Sequence, residues 1–329
     1  MSPLLFALAL AVMVLLVYMG RYSGRVRAES VRVIAAPPEA VMARVADLAQ
    51  WQAWNPWLEH ARDARATVDG ETLAWDVPEV GSARVRQLKP PRPQALRQQL
   101  DFALPFAFRG RSDWAFEAVP GGTRVTWRFK GRVAFTLRAF AATVQGATAL
   151  DLRFGLDRLA ATLEATTSAT TPAYTLNYTG VHAQPARFSA SQAYRGPLDT
   201  LAADLPPRVA ELRRQLGQAG LPADGIARVL YLKTQLKRRI VDCKVGIELA
   251  EAAALPDGLA AHEQRAHDAY VLRFDGPPEA LELAWYQAMQ RLRVEQRRPD
   301  PRLPPYARYL VDAAPGQRGA VDLHLPLLP

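Results

Sequence analysis

The sequence predicts an α+β protein. An N-terminal apolar helix is followed by an antiparallel sheet with a long closing helix, then by a pseudo-symmetric domain made of a duplicated βαββ unit. Three observations carry this. Residues 4–19, LLFALALAVMVLLVYM, hold no charged or strongly polar side chain. Residues 64–134 read as alternating stretches cut by turns, and a long helical period follows them. Beyond residue 187, three short motifs recur at one fixed offset of 80 residues.

The apolar run, with Pro3 and Gly20–Tyr22, approaches the roughly 20 residues that cross a bilayer. Only Met1-Ser2-Pro3 precedes it and no small-x-small cleavage site follows, so residues 1–22 are expected to be an uncleaved transmembrane anchor. Arg21, Arg25 and Arg27 follow directly. The positive-inside rule then places the soluble modules on the cytoplasmic side of the inner membrane. The formal net charge of +9 and pI near 9.9 favour anionic surfaces. The lone Cys243 excludes an internal disulfide framework and a thiolate metal cage.

A first soluble module is expected over 28–165. Val31 and Val33 alternate as in a strand, Pro37-Pro38 suit a helix's first turn, and Val41, Val45 and Leu48 recur at helical spacing until Pro56 ends the stretch. WQAWNPW, residues 51–57, sits at that exit and holds three of the seven tryptophans. Strand-like stretches then run to residue 134, punctuated by Asp69-Gly70, PPRP and Gly121-Gly122. In the last of them Val125, Trp127 and Phe129 alternate with Arg124, Thr126, Arg128 and Lys130, one face apolar and one wet. Leu152, Leu156, Leu159 and Leu163 close the module at helical spacing.

APPEAV…D…WQAWNPW, GGTRVTWRFKG and LDLRFGLDRLAATLE, in this order, resemble the START-like (SRPBCC, polyketide cyclase/dehydrase) family. The resemblance implies a helix-grip fold, in which a curved sheet wraps the C-terminal helix around an apolar cavity. It makes Trp54, Trp57, Trp75, Trp114 and Trp127 candidate ligand contacts, with ordinary core packing as the other reading. Base stacking fits poorly, because WQAWNPW has no interleaved basic residue.

Residues 166–186 are Thr-rich and poor in charge and read as a linker, with room for one short strand. The repeat follows. Gly196-Pro197 recurs as Gly276-Pro277, Arg228-Val229-Leu230 as Arg308-Tyr309-Leu310, and Val241-Asp242 as Val321-Asp322. Two halves, 187–250 and 267–329, each read as a strand, a helix (about 199–217 and 278–296) and two strands, with a cleft along the pseudo-twofold. VGIEL, YVLRFDGPPEALELAW, PPYARYLVD and VDLHLPL resemble the GyrI-like, or AraC-type effector-binding, domain. That resemblance implies a small organic ligand in the cleft and makes Trp285, Tyr306 and Tyr309 candidate contacts. Where many members carry a glutamate between the two aromatics, this chain has Ala307, leaving Glu248 and Glu282 as possible substitutes.

The five histidines, His60, His182, His262, His267 and His324, show no metal-ligand spacing, so no metal is expected. No P-loop, dinucleotide fingerprint or nucleophile elbow occurs, and no cofactor is expected. The resulting expectation is a membrane-anchored, non-enzymatic protein with two modules for hydrophobic or aromatic ligands and no nucleic-acid partner. A hydrolase or cyclase in one cavity and a protein-interaction module are the alternatives.

Overall fold

The apolar N-terminal run folds as α1 (Pro3–Gly20) in a computed structural model that describes residues 3–59, 66–77, 81–90, 92–104, 107–164, 173–236, 238–312 and 316–329. The transmembrane expectation is not met. The 18 residues of α1 rise about 27 Å, short of the roughly 30 Å hydrocarbon core. Among the described residues no helix is long and apolar enough to cross a membrane. Leu5, Phe6, Val14 and Val17 of α1 are more than half exposed.

Two units follow from the contacts, Met1–Thr171 and Pro172–Pro329. In the first, seven strands form one antiparallel sheet: β1 (Arg25–Ile34), β2 (Thr67–Asp69), β3 (Thr72–Val77), β4 (Gly81–Leu88), β5 (Ala95–Leu104), β6 (Phe108–Val119) and β7 (Gly122–Val133), in the order β1-β7-β6-β5-β4-β3-β2. Gly122 begins β7 at φ +143°, where a Cβ would lie 2.0 Å from the Ile34 carbonyl oxygen, so this hairpin requires glycine. Pro38 opens α2 (Pro38–Ala46), which buries Val41 and Val45. Asp47 then starts a 3-10 turn over Leu48–Ala53 by accepting from the Ala49 N–H at 3.0 Å.

The long helix is α3 (Ala141–Glu164), and Leu152, Leu156, Leu159 and Leu163 are buried as the spacing predicts. It also covers the edge of the sheet. The Arg27 N–H donates to Gln145 Oε1 at 3.2 Å and the Ala35 N–H to Glu164 Oε1 at 3.1 Å. Arg32 of β1 pairs with Asp157 of α3. An edge strand's unpaired N–H groups thus find acceptors on the helix instead of on another chain.

In the second unit eight strands make one antiparallel sheet: β8 (Thr175–Gln184), β9 (Arg187–Pro197), β10 (Ala227–Gln235), β11 (Ile240–Leu249), β12 (Ala260–Gln264), β13 (His267–Gly276), β14 (Tyr306–Val311) and β15 (Gly319–Pro326). Their order is β12-β9-β11-β10-β14-β15-β13-β8. Helices α4 (Leu201–Gln218) and α5 (Leu281–Val294) follow β9 and β13. The 80-residue repeat is therefore structural, and β10 pairs with β14 at the centre with Arg228 opposite Arg308. Each half holds the expected strand, helix and two strands, and two further strands, β8 and β12, precede them. Much of the expected linker is β8, while its residues 166–172 lie outside the described residues. β8 pairs with β13 and β12 pairs with β9, so each half lends its first strand to the other half's edge.

Candidate functional site

The central strand pair of the second unit sorts its side chains onto two faces. Antiparallel partners share a face and successive residues alternate. Ala227, Val229 and Tyr231 of β10 therefore join Ala307 and Tyr309 of β14 on the side covered by α4 and α5. Tyr231 and Tyr309 pack against the cores of both halves, so they mark the seam. The Tyr231 ring meets Trp285 of α5 edge-on, at 5.1 Å and 70°. All three rings are half-buried, whereas Ala307 between them is fully buried. Trp285 Nε1 and the Tyr309 hydroxyl are buried, and each has the Tyr231 hydroxyl as its polar partner. The Tyr231 hydroxyl is the polar group that influences both. Burial pushes that hydroxyl up to about 12 and the Tyr309 hydroxyl well above its usual range, so both stay protonated at neutral pH. The seam is an apolar, aromatic patch whose few polar atoms are neutral.

The opposite face is polar. Arg308 donates through Nε and Nη2 to the two oxygens of Glu248, at 2.8 and 2.9 Å, and Arg187 reaches the same carboxylate at 3.4 Å. The Arg228 guanidinium lies over the Tyr306 ring, 4.4 Å from its centroid. His324, opposite Tyr306 in the register, stacks on that ring at 4.5 Å and 6°. Both His324 ring nitrogens are buried without a partner, and burial pulls its pKa down to about 3, with Arg308 and Arg228 adding to the effect. The imidazole is neutral at physiological pH.

The candidate residues thus separate. Trp285 and Tyr309 come together on the helix side, and Tyr306 and Glu248 lie on the other face. Glu282 sits on α5 and accepts from Arg239 at 2.6 Å. Tyr231, Arg228 and His324 were not singled out by sequence; the offset that pairs Arg228 with Arg308 was the available signal for the second of them.

In the first unit the tryptophans pack on one another. Trp51, Trp54, Trp114 and Trp127 are at most 2% exposed. Trp114 stacks on Trp127 at 4.1 Å, and Trp54 meets both edge-on at about 6 Å. Such pairs are worth about 0.5–1.5 kcal/mol each beyond burial. Trp51 donates to the Val45 carbonyl at 2.9 Å, Trp114 to Gln98 at 2.9 Å and Trp127 to Ser112 at 3.0 Å. Trp57 is half-buried, stacks on Trp75 at 6.4 Å and donates to Asp151 of α3 at 3.0 Å. These indoles fill the space between sheet and helix. Among the described residues no group of three or more His, Cys, Asp or Glu could hold a metal ion; His60 lies outside them.

Residues 25–164 match the polyketide cyclase / dehydrase and lipid transport family. No curated protein matches the chain. Similar solved structures include a protein from Mesorhizobium loti, 16% identical over 43% of this chain and 98% of its own, with a TM-score of 0.34. A Rhodobacter sphaeroides protein is 20% identical over 43% of this chain and 93% of its own, at 0.32. The C-terminal domain of EcmrR is 15% identical over 47% of this chain and 98% of its own, at 0.38. At such identities the likeness concerns fold alone.

Proposed function

We propose that the protein binds small molecules, and that the seam of the second unit, lined by Tyr231, Trp285 and Tyr309, is the site. The observation that carries this is the half-buried trio itself: large aromatic rings left partly open at the meeting of two halves, with the buried indole N–H and the Tyr309 phenol both turned to the Tyr231 hydroxyl. Apolar pockets with a few convergent polar groups suit flat, neutral organic ligands. The likeness of residues 25–164 to a family whose description includes lipid transport agrees with an apolar cargo. With the neutral probe N-phenyl-1-naphthylamine, fluorescence should rise on mixing with the full chain, and Trp285→Ala should weaken binding at least tenfold. Binding that survives in Trp285→Ala and Tyr231→Ala alike would remove the seam from consideration.

The exposed apolar side chains of α1 support attachment to a membrane surface, with Arg21, Arg25 and Arg27 beside the helix adding attraction to the anionic lipid of the cytoplasmic face. A C-terminal alkaline phosphatase fusion should then be inactive and a fluorescent-protein fusion bright. An active phosphatase would reverse the orientation.

A further inference from the structure

The polar face of the second unit carries a separate problem of charge. Arg228 is 0% exposed, and Nε, Nη1 and Nη2 all lack a hydrogen-bond partner. An isolated buried charge is among the costliest groups a fold can hold, and proteins neutralise such groups, pair them or bind a counter-ion. Desolvation lowers the Arg228 pKa only to about 10, so it remains a cation at pH 7. Its neighbours compensate only in part: the Tyr306 ring and Glu248 favour the cation, whereas Arg308 and Arg187 oppose it. Arg308 and Arg187 share the single carboxylate of Glu248, which leaves three guanidinium groups to one acid. His262, on the edge strand β12, has its pKa lowered by burial and by Arg228, so it stays neutral and offers no counter-charge.

The repeat shows what is absent. Arg228 and Arg308 are equivalent positions, paired directly across the centre of the sheet. Like charges so placed repel, and Arg308 is relieved by Glu248 from the other half. Glu248 lies opposite Ile226, and the equivalent place in the other half, opposite Tyr306, is held by His324, so Arg228 has no corresponding acid.

We infer that Arg228 is an anion site on the polar face of the second unit, taking a small organic monocarboxylate in the place a second glutamate would occupy. A guanidinium presents a planar fork that matches a carboxylate bidentately. A carboxylate adds one negative charge to a surplus of two guanidinium groups. The site lies across the sheet from the seam and does not depend on it.

Thermal unfolding of the full chain, at fixed ionic strength with chloride as the reference salt, tests this with acetate, benzoate, inorganic phosphate and tetramethylammonium. Acetate or benzoate should raise Tm by about 5 °C at a hundredfold excess over Kd, and tetramethylammonium should do nothing. Arg228→Met should lose that response and melt higher than the wild type without ligand, since it removes an unpaired buried cation. Naphthylamine binding at the seam should be unchanged in Arg228→Met, which separates this inference from the proposed function. An equal carboxylate response in Arg228→Met would overturn the site, as would no response in the wild type. A larger effect of phosphate than of either carboxylate would overturn the ligand class.

Discussion

His324 shows how burial of one side chain makes stability depend on pH. Its imidazole is 2% exposed, stacked on Tyr306 and held neutral down to about pH 3. In the unfolded chain the same ring takes a proton near pH 6.5. The folded-state pKa is therefore depressed, and the stability is complete above about 6.5 and lost as pH falls towards 3. Between pH 7 and 5 this residue alone should cost about 2 kcal/mol. Arg308, Arg228, His267 and Arg187 are the charged or titratable groups that face it, and none is an acid that would favour its protonation. Urea unfolding of the wild type and His324→Phe at the two pH values measures the effect. The phenylalanine keeps the stack and should flatten the dependence by that amount. Parallel curves would show that the imidazole is hydrated in solution.

Among the elements, α3 illustrates a packing demand that outweighs helix propensity. A Cβ on Gly155 would lie 2.7 Å from Cζ3 of Trp127 and 3.0 Å from Cδ of Pro56. Both neighbours are rigid, so Gly155→Ala should destabilise the first unit by about 1–3 kcal/mol, even though alanine favours a helix by about 1 kcal/mol. Gly146→Ala on the same helix meets nothing within 4 Å and should be neutral or stabilising. Paired melting curves of the two variants decide it. The helix itself was readable in advance, because Leu152, Leu156, Leu159 and Leu163 keep one period and all face the sheet. The strand β8 was harder to read. Leu176 and Tyr178 are only half-buried between exposed Thr175, Asn177 and Thr179, and an edge strand of that composition resembles a linker. The site was legible in part. Trp285 and Tyr309 stood out as large aromatics, but Tyr231 and Arg228 gain their opposite faces at the centre of the sheet from pairing with β14, some 80 residues on, which local periodicity does not contain.

For the whole molecule, the two units carry different built-in reporters. Six of the seven tryptophans lie in the first unit, and the single cysteine, Cys243, lies in the second. Cys243 is 1% exposed and burial raises its thiol to about 12, so it should not react with a disulfide reagent until the second unit opens. Tryptophan emission and thiol labelling across a urea gradient should therefore trace two transitions with separate midpoints. A single coincident transition would mean that the units unfold as one. The central pair Arg228–Arg308 has a consequence of its own. In a dimer of identical half-chains, one arginine would meet its own copy on the axis, and any substitution would fall on both at once. Fusion into one chain lifts that constraint. Glu248 can exist without a twin, so one arginine serves as a strut between the halves while the other is spared for a solute. The division of labour depends on the covalent join, and two separate half-chains could not sustain it.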